Sequence, residues 1–177
     1  MISIRQEEPG DREAVRLVNE LAFGGQDEAE IVDALRETEG VILSLVALHA
    51  DSVVGHILFS PVRIEEGGCV VEGMGLGPMA VLPEHQRQGV GSALVESGLK
   101  ILRDRACAFV VVVGHADYYP RFGFEPASRR GIKSQWEGIP DDVFMVYVLD
   151  EGQMKDVHGV VRYGDEFLKG SGSGPTS

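Results

Sequence analysis

The sequence predicts a single mixed α/β domain, α+β in layout, with a largely antiparallel central sheet flanked by helices. Three observations carry this reading. Two amphipathic helical stretches open the chain. Apolar strands follow, joined by tight polar or glycine turns of the hairpin kind. A strand, a glycine loop, a helix and a wholly apolar strand then occupy 79–113, the pattern of a parallel crossover. With 177 residues and 44% hydrophobic content, the chain suits one globular core. The domain is read as 1–169. Residues 170–177, GSGSGPTS, read as a disordered Gly/Ser tail.

Each element has a local signal. Ile2 to Arg5 alternates as a short strand does. Pro9-Gly10-Asp11 is a turn whose Asp11 suits a helix N-cap. Arg12 to Phe23 carries Ala14, Val15, Leu17, Val18 and Leu21 at helical spacing until Gly24-Gly25 breaks it. Asp27 suits the cap of a second helix reaching Thr38 on the stripe Ile31, Val32 and Leu35, with Gly40 as its C-terminal cap. Val41 to Ala50 and Val53 to Ile64 read as strands around an Asp51-Ser52 turn. Glu65-Glu66-Gly67-Gly68 turns the chain into Cys69 to Val81.

That last strand contains Gly73, Gly75, Gly77 and Pro78. Proline cannot donate to a ladder and glycines mark bulges, so the strand is expected to part from a neighbour near Gly77-Pro78. Ala108 to Val113 is apolar throughout, as a buried parallel strand is. Ala116 to Phe122 reads as one short helical stretch. Pro126 to Asp142 is polar and irregular, Val143 to Leu149 is a strand, and Gly159 to Tyr163 a last one.

Composition excludes several classes. A net charge of −12 argues against nucleic acid as the main partner. No apolar run approaches the ~20 residues of a membrane helix. The start, MISIRQEEPGD, lacks the basic-then-apolar order of a signal peptide, which predicts a cytoplasmic location and no membrane partner. Cys69 and Cys107 are far apart without metal-ligand spacing, so both are expected to be reduced core residues and no metal is expected. His49 and His56 sit in strand patterns, as core or surface residues do. Between His85 and Lys133 eight basic side chains meet four acidic ones, so that segment is +4 and the remainder −16. Such a segment suits a polyanionic ligand, while the acidic remainder suits a cationic one.

The basic segment holds the most specific stretch, Met79 to Leu99. Gln86-Arg87-Gln88-Gly89-Val90-Gly91 lies between a strand and a helix. The first turn of a helix leaves N–H groups without partners and carries the positive end of the dipole. Glycines let an anion approach the backbone, and an arginine fork suits phosphate oxygens. The dinucleotide fingerprint GxGxxG fails because Leu94 stands where its third glycine belongs, and GxxxxGK[ST] is absent. The pattern that fits is Q/R-x-x-G-x-G/A.

This loop resembles the acetyl-CoA loop of the GNAT superfamily of N-acetyltransferases. Gly114-His115-Ala116-Asp117-Tyr118-Tyr119-Pro120-Arg121-Phe122-Gly123-Phe124 resembles that family's second signature, a Tyr four residues before Gly-Phe, in the form of its YhbS-like branch. The resemblance covers most of 1–165. It implies a GNAT-like sheet with a splay at the acetyl-CoA site. It also implies transfer of the acetyl group of acetyl-CoA, a co-substrate, to a primary amine by direct attack in a ternary complex.

On that reading the pantetheine arm pairs with the backbone of Met79, Ala80 and Val81. The pyrophosphate rests on the N–H groups of Arg87, Gln88, Gly89, Val90, Gly91 and Ser92. The Met79 N–H is the candidate oxyanion donor. Tyr119 matches the family's general acid, with Tyr118 as its neighbouring alternative. The carboxylate that many relatives carry in the strand before the tyrosine signature is missing from Phe109 to Val113. Glu72, His115 and Asp117 are therefore the candidate bases, beside a chain of waters. Gln26, Asp27 and Glu28 are candidate contacts for an amine acceptor, a cationic one included. The missing carboxylate also admits a CoA-binding regulatory module without catalysis. Another acyl-CoA is a further alternative donor, and a homodimer through the C-terminal strands is a further expectation.

Overall fold

A computed structural model describes residues 1–38 and 42–168. The strands are β1 (Ile2–Gln6), β2 (Leu43–His49), β3 (Ser52–Glu66), β4 (Cys69–Val81), β5 (Phe109–Val113), β6 (Glu125–Pro126), β7 (Ile132–Ser134), β8 (Phe144–Val148) and β9 (Gly159–Arg162). The helices are α1 (Arg12–Phe23), α2 (Asp27–Arg36) and α3 (Val90–Asp104). One mixed sheet runs β1-β2-β3-β4-β5-β8-β6. Its β4–β5 pair is parallel, as is β7–β9; the other ladders are antiparallel. β2 pairs with β3 as far as Phe59, and β9 takes over the same strand at Arg63 to Glu65. The open, mostly antiparallel sheet with three helices is the architecture expected.

The alternation of strand residues builds two cores. Val46, Leu58, Val62, Ile64, Val111 and Val146 face the side covered by Val15 of α1 and Val32 and Leu35 of α2. Leu45, Ile57, Phe59, Leu76, Val110 and Val112 face the other side, where α3 packs Leu94, Val95, Leu99 and Leu102. α3 lies closest at Gly98, where an added Cβ would stand 2.3 Å from the Phe59 ring.

Several local details differ from expectation. The β2–β3 turn is Ala50-Asp51, both at positive φ (48° and 63°), one residue before the expected pair. Two left-handed residues match the twist of a hairpin, so Ser52 already pairs with His49. Asp11 does not cap α1 with its side chain. Its carboxylate accepts instead from the Glu8 N–H at 2.7 Å and from Arg5 at 2.6 and 3.0 Å. The irregular stretch 126–142 includes the end of β6 and all of β7, which pair with β8 and β9. Cys69 is exposed and Cys107 half-buried, so the cysteine expectation fails at Cys69, where β4 begins at the hairpin turn. Gly40, Val41 and the 170–177 tail lie outside the described residues.

The feature that positions the site is in β4. Ile57 of β3 stands opposite Met79 and Phe59 opposite Leu76, so Gly77 and Pro78 together face Leu58 as a bulge. On the other edge, β4 pairs with β5 over Met74 to Leu76 and Val110 to Val112, and the ladder stops there. β5 continues with β8 to Val113 while β4 continues with β3 to Val81. The expected parting near Gly77-Pro78 is present.

A buried polar chain seats α1 and α2 on the sheet. Asn19 of α1 donates to the Val15 carbonyl at 2.9 Å and lies 3.1 Å from Nδ1 of His56 on β3. Nε2 of His56 lies 2.9 Å from Ser44 Oγ on β2, which donates to Glu7, which in turn pairs with Arg36 of α2. His56 is fully buried. Burial, and then the charge of Arg36, hold its imidazole down to about 3 from the ordinary 6.5. It is therefore neutral at pH 7, and its 3.8 Å approach to Glu7 is no salt bridge.

Below pH 6.5 the unfolded chain takes up a proton that folded His56 refuses until about pH 3, so this contribution is complete above 6.5 and is lost as pH falls. Within the window the expected slope is about 1.4 kcal/mol per pH unit. An NMR titration checks it: a native imidazole that protonates near its ordinary pKa contradicts the buried chain. Separately, Gly98→Ala gains about 1 kcal/mol of helix propensity but forces Phe59 aside, at about 1–3 kcal/mol. Urea denaturation should show a net loss, of up to about 2 kcal/mol.

Candidate active site

The loop before α3 is built as its sequence requires. Arg87 and Gly89 lie in the left-handed region, at φ 60° and 86°. Gly89 is the residue before the helix, where the absence of a Cβ makes that conformation easy. The first helical hydrogen bond runs from the Ala93 N–H to the Gly89 carbonyl at 3.0 Å. The N–H groups of Val90, Gly91 and Ser92 precede it and carry the positive end of the helix dipole. Gln86 donates to the Val81 carbonyl at 3.0 Å, and Gln88 to the Glu84 carbonyl at 2.8 Å. Gln86 thus ties the loop back to the end of β4, and Gln88 ties it to the turn that follows. The Val90 side chain turns into the core against Gly55, leaving only its backbone at the loop surface.

β4 supplies the facing wall. The Leu82 N–H donates to the Val54 carbonyl at 2.9 Å. Backbone direction alternates along a strand, so Ala80 also turns its groups toward β3, and Met79 and Val81 turn theirs to the opposite edge. That edge lies beyond the last β4–β5 pair. The Val81 carbonyl is taken by Gln86, so its N–H and the backbone groups of Met79 are what the edge offers.

A cleft of about 620 Å³ lies between loop and strand. Met79, Ala80, Val81, Arg87, Gly89, Gly91 and Ser92 line it, as do His115, Tyr118 and Tyr119 from the segment after β5. Tyr119 is 1% exposed, its ring edge-on to Phe124 at 5.6 Å. Tyr118 is half-buried. Its Oη lies 3.3 Å from Ser92 Oγ, and the Arg121 guanidinium covers its ring at 4.7 Å. The charged lining side chains are Arg87 and Arg121, with the His115 imidazole beside them. No carboxylate lines the cleft among the described residues, and no group of three or more His, Cys, Asp or Glu could hold a metal there.

Other candidates lie elsewhere. Glu72 is exposed, seven residues back along β4 from Met79, opposite Arg63. At ~3.3 Å per residue this is roughly 20 Å away, which removes it as a base for this cleft. Asp117 is exposed and off the wall. Gln26, Asp27 and Glu28 stand at the start of α2 outside the lining, and acids there complement the helix dipole. Ala22 and Phe23 of α1, together with Gln86 and Arg121, complete the cleft. Arg121 was readable as the residue one turn after Tyr118. Ala22 and Phe23 come from a distant helix and carry no local signal.

Comparison with known proteins agrees with this geometry. Residues 3–127 match the family model described as an acetyltransferase (GNAT) domain. The chain is 33% identical over 165 residues to YhbS of Escherichia coli, covering 93% of this chain and 97% of that protein. It is 42% identical over 120 residues to YjhQ of the same organism, covering 67% of this chain and 66% of YjhQ. Both are named as uncharacterized N-acetyltransferases. The crystal structure of E. coli YhbS in complex with CoA superimposes with a TM-score of 0.88 at 32% identity, over 95% of this chain and 92% of that one. A GNAT family acetyltransferase from Brucella melitensis in complex with acetyl-CoA gives 0.77 at 37% identity, over 94% and 98%. No described helix is long and apolar enough to cross a membrane. With the loop, the parted strands and the tyrosine segment gathered on one cleft, and with these relatives, the chain belongs to the GNAT acetyltransferase family.

Proposed function

We propose that this protein transfers the acetyl group of acetyl-CoA to a primary amine by direct attack within a ternary complex. The observation that carries the reading is the meeting of an anion-binding helix start with an open strand edge in one cleft. The N–H groups of Arg87 to Ser92, with the Arg87 guanidinium, take the pyrophosphate. The free edge at Met79 and Val81, on either side of Ala80, takes the amides of the pantetheine arm as a strand takes a strand. The CoA and acetyl-CoA held by the two structural neighbours support this placement.

The Met79 N–H stabilises the oxyanion that develops on the thioester carbonyl. The neutral amine forms the new C–N bond as the C–S bond breaks, and CoA leaves as a thiolate. Tyr119 gives that sulfur a proton. A phenol, at ~10, and a thiol, at ~8.5, lie within about two pKa units, close enough for the phenol to hand its proton to the thiolate as the C–S bond breaks. His115, the imidazole on the wall, takes the proton lost by the amine. The acceptor enters past Ala22 and Phe23, with Gln26, Asp27 and Glu28 beyond them at the start of α2.

Calorimetry of acetyl-CoA binding, combined with thiol release against a panel of amines, tests the proposal. Arg87→Ala is expected to weaken binding by about tenfold, as loss of a charge-assisted contact does. Tyr119→Phe is expected to keep binding and lower turnover about a hundredfold. Binding without turnover on any amine would favour a CoA-binding regulatory module. Absence of binding would overturn the assignment of the loop.

A further inference from the structure

The cleft holds two guanidinium groups, and the pyrophosphate accounts for one of them. Arg87 belongs to the loop itself, just before Gly89. Arg121 comes from the segment after β5. Arg121 is exposed, and neither Asp117 nor any other carboxylate pairs with it among the described residues. It rests instead on the Tyr118 ring, whose face its Cζ covers at 4.7 Å. A cation held on a ring face keeps its N–H donors for another partner.

Tyr118 fixes where that guanidinium stands. Its ring is held edge-on by Tyr119 and Phe122, at 5.1 and 5.2 Å. Its Oη lies 3.3 Å from Ser92 Oγ in the first turn of α3, and an added Cβ at Gly91 would stand 3.0 Å from the same oxygen. Arg121 is thus carried to the helix start, at the phosphate end of the cleft. Coenzyme A brings negative charge there in two groups. The pyrophosphate is met by the backbone N–H groups and Arg87. On the ribose beyond it, the 3′-phosphate is a monoester of about −1.5 to −2 at pH 7. A group so charged needs donors of its own, and an unpaired planar fork at the rim suits it.

We infer that Arg121 takes the 3′-phosphate of the coenzyme and thereby selects the acyl donor. The inference rests on the assignment of the cleft to acetyl-CoA. Its consequence is a preference for thioesters of free CoA over those of dephospho-CoA, and over those on a phosphopantetheine arm, both of which lack the monoester. Tyr118 is the positioning residue, because its ring holds the guanidinium beside the helix start.

Calorimetry of the whole chain with CoA and with dephospho-CoA tests this. The wild type is expected to bind CoA about tenfold tighter than dephospho-CoA. Arg121→Ala is expected to erase that difference by weakening CoA alone, whereas Arg87→Ala weakens both ligands by the same factor. The two ligands share the pyrophosphate and the pantetheine arm, so damage to the fold or to Tyr118 moves their Kd values together. Equal Kd values in the wild type, or an Arg121→Ala variant that weakens both ligands alike or neither, would overturn the inference and leave the cofactor cleft standing. A wild type that binds neither ligand would overturn the assignment of the cleft, and the inference with it.

Discussion

A backbone N–H or C=O in a sheet must find a partner, and in this molecule that requirement decides where chemistry can occur. β4 carries thirteen residues but is paired on its β5 side over three. The bulge at Gly77-Pro78 turns the strand away, and Gln86 returns a side chain to the Val81 carbonyl. What is left unpaired is a short edge facing the start of α3. An extended ligand with amides and a charged tail meets both demands at once, which is the sense in which the fold prepares the cleft.

The cleft depends on elements far from it in sequence. α1 closes one wall through Ala22 and Phe23, and α1 is seated by Asn19 on the neutral imidazole of His56. The chain from His56 through Ser44 and Glu7 to Arg36 joins both N-terminal helices to the central strands. Placing so polar a chain at the sheet is tolerable because each link is hydrogen-bonded and the imidazole stays uncharged.

The parts of the site set by local spacing were readable in the sequence. The glycine loop, the start of α3, the bulge and the tyrosine segment each depend on neighbours within a few residues, where backbone rules act directly. The turn at Ala50-Asp51 was misplaced by one residue because the twist of the two strands, not turn composition, selected it. Glu72 was a candidate base on chemistry alone. Distance along an extended strand removes it, since seven residues of β4 cover most of the sheet's height. The walls from α1 and the His56 chain depend on packing between distant segments, which no local pattern records.

The shared edge of β3 has a consequence for how the chain folds. Its first half is paired by β2 from immediately upstream, whereas Arg63 to Glu65 wait for β9, about a hundred residues later. During synthesis the strand is therefore made early and satisfied late. The closure is non-local, the slow kind in which loop entropy is lost before contacts form. Until it occurs, the longest strand of the sheet presents half an open edge, and the last ladder to form is the one that seals it.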